Sequence, residues 1–296
     1  MKLSTTTAMY RFRPGNKYIS IQDSIRLLHK IGYRDVDFNF CKCNQMNIEL
    51  TDDNWDRWIY ETAELMEELG VTAGQSHTPF YNVLDKNYPN REYTEKIVTR
   101  SIIASGKLGV NAVTIHGGTI IGSSDRKRNK QENIEYFKPH LETAAKYGTN
   151  ISIENLFNKR KTEWGKRSEV YLNSAEALID LVDTLKLDYD NVGITWDFGH
   201  ANEMGWDQIE ALNLIGDRLL STHVNDNYGV FDDHLMPFHG QIEWEPIMKT
   251  LNKIGYKGVF AYETHKATER IPEPVIESFL RYTFDLGNYL ISLAEE

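Results

Sequence analysis

The chain has 296 residues, 41% of them hydrophobic and 26% charged, with only 8 prolines; this excludes a disordered, collagen-like or low-complexity protein and supplies chain for two average domains or one large α/β barrel. Its 33 Lys and Arg against 43 Asp and Glu leave a formal charge of −10, which disfavours a surface built to coat nucleic acid or anionic lipid. No run of about eighteen apolar residues and no apolar stretch ahead of Arg11 and Arg13 suggests a membrane span or secretion signal, and Cys41 and Cys43 are too close for an ordinary disulfide and lack C-x-x-C spacing, so a cytoplasmic, reducing setting is expected.

In chain order, short apolar runs predict strands over Leu3–Ala8, Val36–Phe40, Val71–Ser76, Ala112–Ile115, Ile151–Ile153, Val192–Trp196, Leu220–Thr222 and Val259–Tyr262. Between them, helical periodicity predicts Ile21–Lys30, Asn54–Leu69, Glu92–Leu108, Gln131–Tyr147, Ala175–Leu185, Trp206–Ile215, Glu245–Ile254 and Pro274–Leu293. The second helix shows one buried face at Trp55, Trp58, Ile59, Thr62, Leu65, Met66 and Leu69, and the fifth opens on a capping box with Asn173 as cap and Glu176 three residues on. Gly32, Gly70, Gly109, Gly148, Gly216 and Gly255 each stand where a helix ends and a strand follows, the place for a left-handed residue. Eight alternating units without a Gly-rich nucleotide fingerprint or a linker predict a single α/β domain spanning residues 1–296, a (β/α)8 TIM barrel.

A parallel barrel builds its active site where the strands finish. The predicted strands three to eight finish in Gln75-Ser76-His77, Thr114-Ile115-His116, Ile153-Glu154-Asn155, Trp196-Asp197 with His200 beyond, His223-Val224-Asn225-Asp226, and Tyr262-Glu263. A lone histidine or carboxylate at such a position is more often structural than functional. Six in register, with His77, His116, His200, His223, His234, His239 and His265 all on this side and only His29 and His140 on predicted helices, point to one shared divalent-metal centre. Cys41 and Cys43 follow strand two; the nitrogen and oxygen donor set is complete without sulfur, so two free thiols are expected.

Two predicted loops are basic: Arg126, Lys127, Arg128 and Lys130 after strand four, and Lys159, Arg160, Lys161, Lys166 and Arg167 after strand five. They are expected beside the proposed site, as solvated loops or as contacts to a phosphate, with Trp164 and Tyr171 lining a sugar face or pinning the loop.

Taken together, His77-Thr78-Pro79-Phe80, His116-Gly117-Gly118, Ile153-Glu154-Asn155, Trp196-Asp197-Phe198-Gly199-His200, His223-Val224-Asn225-Asp226, Asp232-Asp233-His234-Leu235-Met236-Pro237, Ile242-Glu243-Trp244 and Tyr262-Glu263 resemble, in order and spacing, the xylose isomerase-like (β/α)8 barrels. These are the sugar-phosphate isomerases and epimerases related to xylose isomerase and to endonuclease IV. The resemblance implies a divalent metal (Mn, Zn, Co or Mg) held by Glu154, Asp197, His223 and Glu263, with Glu154 and Glu263 also moving protons on opposite faces of a sugar, and with His200 and His234 contacting substrate oxygens. The substrate class implied is a small sugar, keto-polyol or sugar phosphate, converted through an enediolate. Endonuclease IV uses the same four positions and adds ligands matching His77, His116, His200, Asp232 and His234, so a zinc phosphodiesterase of abasic DNA is the rival expectation; a barrel that keeps its metal without catalysis is a third. Asn155 and Leu156 after Glu154, the turn from Met236-Pro237 to Ile242-Glu243-Trp244, and Phe80 favour the sugar branch, whereas Phe238-His239-Gly240-Gln241 departs from that branch's usual Gly-Glu-Gly turn.

Overall fold

The structure is a computed structural model, and it describes residues 1–13, 17–43, 49–160 and 167–295. Eight parallel strands close into a barrel: β1 (Lys2–Thr6), β2 (Asp35–Asn39), β3 (Thr72–His77), β4 (Ala112–Ile115), β5 (Asn150–Glu154), β6 (Val192–Asp197), β7 (Leu219–Val224) and β8 (Val259–Tyr262), with β8 pairing back onto β1. Each lies within two residues of its predicted span at both ends; the first stops at Thr6 rather than Ala8 because Thr7–Tyr10 form a 3-10 turn capped by Thr6. Around the barrel run α1 (Ile21–Ile31), α2 (Trp55–Leu69), α3 (Arg91–Lys107), α4 (Arg126–Tyr147), α5 (Ala175–Leu185), α6 (Phe198–Met204), α7 (Gln208–Ile215), α8 (Trp244–Lys253) and α9 (Ile276–Ser292). Among the described residues, no helix is long and apolar enough to cross a membrane.

All six helix-end glycines adopt positive φ, between 56° and 137°, as the junction pattern requires. Two larger departures among the helices and one in a cap assignment each trace to a capping side chain. Asp125 accepts a hydrogen bond from the Arg128 amide at 3.0 Å and starts α4 five residues early, so Arg126, Lys127, Arg128 and Lys130 form helical turns rather than a loop. The buried face of those turns is amide rather than apolar: Asn133 exchanges hydrogen bonds of 2.7 and 2.9 Å with the Gly118 backbone, so a search for apolar periodicity passes over it. Asp197 caps the short helix α6, which was not anticipated, by accepting from the His200 amide at 2.6 Å. Ser174, not Asn173, caps α5, with its hydroxyl accepting from Ala177.

The strands divide their two faces unusually. Val36, Phe38, Val113, Ile115, Ile151, Ile153, Ile194 and Trp196 are buried in the apolar core. The alternate positions meet inside the barrel, where Thr114, Ser152, Thr195 and Ser221 bond to one another through hydroxyls at 2.7 to 3.0 Å. Branched aliphatic side chains normally fill this space. Small hydroxyl residues leave the barrel axis polar directly below the strand ends.

Above the strand ends, β1 and β5 are each followed by a two-stranded hairpin, Phe12–Arg13 with Lys17–Tyr18 and Lys159–Arg160 with Arg167–Ser168. Arg11 anchors the segment around the first hairpin. Its guanidinium lies 2.8 Å from Glu49 and donates at 2.9 Å to the Asn39 carbonyl, and the paired side chains are only 2% and 6% exposed. Removing one partner of a buried pair strands the other charge. Glu49→Ala is therefore expected to lose about 3–5 kcal/mol of folding stability, measured by urea denaturation; a loss comparable with that of an exposed pair such as Arg57–Glu61 would show that the buried pair does not hold this segment.

Candidate active site

The chain delivers its imidazoles and carboxylates by strand length. His77, Glu154 and Asp197 are the last residues of β3, β5 and β6, His223 is the last but one of β7, and His116 and Glu263 follow β4 and β8 directly. One ligand atom from each of Glu154, Asp197, His223 and Glu263 lies within 4.8 Å of the others, and all four residues are buried. His223 Nδ1 is 2.6 Å from Glu154, 3.5 Å from Glu263 and 3.9 Å from Asp197. Asp197 is fixed by its neighbours: Asn225 donates to its carboxylate at 2.9 Å, and Asn155 bonds its backbone on both sides at 2.6 and 2.9 Å.

A second group adjoins the first. His116 Nε2 is 2.6 Å and His77 Nε2 3.5 Å from Glu154 Oε2, and these three residues meet the same 4.8 Å criterion. His234 donates from Nδ1 to the Glu263 carbonyl at 2.6 Å and sets Nε2 2.8 Å from Asp232, while His200 donates from Nδ1 to the Asn155 carbonyl at 2.8 Å and reaches Asp232 at 4.0 Å. All nine residues singled out in the sequence thus converge. His239 does not: it is exposed and bonds Tyr282 at 2.9 Å, carried away beyond a positive-φ turn at Phe238.

The cavity above these groups measures about 280 Å³. Phe80 packs edge-on against His116 and Phe157 lies tilted against His200, with ring centroids 4.4 and 4.7 Å apart, so two aromatic side chains form its wall. Among the described side chains its lysines are Lys42 and Lys266, and Arg126, Lys127, Arg128 and Lys130 do not line it. Arg126, Lys127 and Lys130 line a separate surface cavity, where Lys130 pairs with Asp180 at 2.7 Å and Arg126 with Glu169 at 3.2 Å. Helix formation at 126–130 turns those side chains toward α5, which corrects their assignment to the rim of the central site. Arg128 lines yet another cavity. Lys159, Arg160 and Arg167 lie in the second hairpin, and Lys161, Trp164 and Lys166 lie outside the described residues. Phe157, Lys42 and Lys266 were not singled out in the sequence; only their closeness to Glu154, Cys41 and His265 could have flagged them.

Electrostatics divides the two glutamates. Burial, reinforced by Glu154 and Asp197, holds the Glu263 carboxyl well above the usual range. Burial acts the same way on Glu154, but His223 and His116 outweigh it and hold that carboxyl well below. Burial would lower His200 too, yet Asp197, Asp232 and Glu154 keep it up at about 9, whereas burial prevails at His116 and takes it to about 4. Cys41 reaches this cluster, its thiol 2.8 Å from His77 Nδ1, and is partly exposed; Cys43 is buried, and burial pushes its thiol up. Both are free. Iodoacetamide at mild alkaline pH is expected to label Cys41 and spare Cys43, read by peptide mass spectrometry; equal labelling of both in folded protein would contradict the burial.

A barrel with metal-competent side chains at six consecutive strand ends defines a class, and residues 25–283 match the family model of the xylose isomerase-like TIM barrels. The chain belongs to that family. Among curated relatives, it is 29% identical to the uncharacterized protein MJ1311 of Methanocaldococcus jannaschii over 66% of this chain and 65% of that one. It is 24% identical to the probable endonuclease 4 of Acholeplasma laidlawii (68% and 70% covered) and 23% identical to the putative L-ribulose-5-phosphate 3-epimerase SgbU of Escherichia coli (79% and 82%). Among solved structures, the IolI protein with a bound zinc atom superposes with a TM-score of 0.75 at 17% identity (99% and 98% covered), and D-psicose 3-epimerase in the presence of D-fructose with 0.72 at 14% (98% and 99%).

Proposed function

We propose that the protein is a divalent-metal-dependent isomerase or epimerase of a small sugar, keto-polyol or sugar phosphate. The observation that carries this reading is a pair of buried glutamates, Glu154 and Glu263, in one small cavity with ligand atoms of Asp197 and His223 within 4.8 Å of theirs, which is an arrangement that can hold a cation and move protons beside it. The donor set fits a cation. Glu154 Oε2 is buried without an aligned hydrogen-bond donor although His116 lies 2.6 Å away, and Asp232 Oδ1 is buried without a partner. Glu154, Asp197, His223 and Glu263 would hold the metal, with Mn, Zn, Co and Mg all compatible with mixed nitrogen and oxygen ligands. A bound cation would supply charge stabilisation to the ketose carbonyl and its enediolate.

The chain's own part is proton transfer and positioning. Glu154, held ionised, accepts the proton from the carbon beside the carbonyl as the C–H electron pair forms the enediolate double bond and the carbonyl π pair moves onto oxygen. Glu263, the second carboxyl group of the pair, delivers a proton to the same carbon from the other face for epimerisation; for isomerisation the proton goes to the former carbonyl carbon while the neighbouring hydroxyl's proton passes to the former carbonyl oxygen. His200, His234 and Asp232 orient hydroxyls, and Phe80 and Phe157 exclude water from the reacting carbon. The names of the epimerase relatives and neighbours support this reading, as does a cavity far smaller than a groove for duplex DNA.

The additional group of His77, His116 and Glu154, with a probable endonuclease 4 among the relatives, keeps zinc-dependent phosphodiester hydrolysis as the second reading. Metal analysis of the purified protein, joined to a panel of ketoses and keto-inositols in D₂O, separates the two. One cation per chain and metal-dependent exchange of a carbon-bound proton are expected; three zincs with cleavage of abasic DNA and no exchange would replace the proposal.

A further inference from the structure

The polar barrel interior contains groups that the proposed reaction does not use. Asp37, in the middle of β2, is fully buried; the Gln75 side chain lies close enough to act on it, but among the described residues neither carboxylate oxygen has an aligned hydrogen-bond donor. Gln75 is its neighbour in register on β3; the Gln75 amide nitrogen crosses the barrel to the Thr222 carbonyl at 3.2 Å, and its amide oxygen is also buried without a partner. Thr222 immediately precedes His223. One inward step higher, Asn39 pairs with His77, and the His77 ring stacks on the His223 ring at 5.2 Å. The Asp37–Gln75 pair therefore lies one layer below the imidazoles, at the floor of the site.

His223 presents two ring nitrogens to different surroundings. Nδ1 faces the carboxylates of Glu154, Glu263 and Asp197, whereas Nε2 is buried and has no partner. If Nδ1 ligates a cation, the neutral ring must carry its proton on Nε2, and a buried N–H without an acceptor is costly. Metal-ligating histidines normally donate that second N–H to a carboxylate, carbonyl or water.

We propose that Asp37 is the positioning residue for His223: its carboxylate accepts the Nε2 hydrogen, directly or through one buried water, and so fixes the tautomer that leaves Nδ1 free for metal. This assignment rests on the metal reading above. Burial pushes the Asp37 carboxyl upward, and the nearby His223 and His77 are the charges that act against it. An Asp buried without such a partner would only burden the fold, because removing a lone buried charge stabilises a protein.

The test compares wild-type protein with Asp37→Leu and Asp37→Asn, using cobalt(II) as the probe. The assignment predicts opposite effects on two readouts. Cobalt affinity falls about 10- to 100-fold in Asp37→Leu, the usual range for loss of such a partner, and less in Asp37→Asn, whose amide oxygen still accepts. In the metal-stripped protein Nδ1 carries the ring hydrogen toward Glu154 at 2.6 Å and Nε2 needs no acceptor, so the Tm of that protein does not fall in either variant. In nitrogen-15 NMR of the zinc-loaded wild type, His223 carries its proton on Nε2, and that resonance shifts in Asp37→Asn. Unchanged cobalt affinity and an unchanged His223 resonance in a folded variant would overturn the role of Asp37 while leaving the metal site standing. Wild-type protein that binds no cobalt would overturn the metal reading and this assignment together. Should Asp37→Leu not fold, Asp37→Asn decides the matter by the same two measurements.

Discussion

Glu263→Gln is expected to lower turnover about 10²- to 10⁴-fold, the range that one positioned acid or base contributes, on whichever ketose the wild-type protein exchanges fastest. The amide keeps the shape of the side chain and removes its proton. Because burial already favours the neutral form of Glu263, the substitution should leave the Tm of the metal-stripped protein unchanged or raised. Loss of activity would then not reflect loss of fold. Glu154→Gln should behave differently: Glu154 is held ionised by His223 and His116, so its replacement leaves two buried imidazoles without their carboxylate and lowers both activity and stability. The pair is read by exchange of the carbon-bound proton in D₂O and by thermal melts. A Glu263→Gln protein that turns over within threefold of wild type would remove that residue from the reaction.

Metal affinity is expected to rise with pH. In protein stripped by a chelator, burial keeps the carboxyls of two of the four ligands, Asp197 and Glu263, above the usual range. A cation entering the site must displace protons from these groups, so acid opposes binding. For each proton released, affinity falls about tenfold per pH unit, or roughly 100-fold between pH 8 and pH 6. Competition with a chromogenic chelator gives the slope, and calorimetry in buffers of different ionisation enthalpy counts the protons. A flat profile with no proton release would mean that the cation sits elsewhere.

The barrel and the convergence of nine candidate residues at its mouth were legible in the sequence for one physical reason: a βα unit has a strict local grammar. Glycine at six helix ends and an apolar run at each strand locate the strands, and strand ends locate the candidate site. Where polar side chains perform structural work, the pattern fails. Asp125 with Asn133 extended α4 through a stretch that reads as a basic loop, and Asp197 built α6 from residues read as a motif alone. Asp226 is a further case: it accepts from the Phe238 and Ile242 amides and the Trp244 indole at 3.0 to 3.1 Å, organising the segment that carries Asp232 and His234 rather than joining the ligands. Lys42 and Lys266 reach the cavity through tertiary packing alone, which no local periodicity records.

The ring of Thr114, Ser152, Thr195 and Ser221 has a consequence for metal choice. Three carboxylates converge at the mouth of the barrel, and in a hydrocarbon interior nothing beneath them would respond to their field. Hydroxyl dipoles can reorient, so the floor answers to the charge above it and raises the local dielectric response. A barrel built this way tolerates the comings and goings of a cation in its folded state. On the metal reading proposed above, the ion would be set by supply in its surroundings and by the geometry of the four candidate ligands, and different preparations of the same chain would carry different metals.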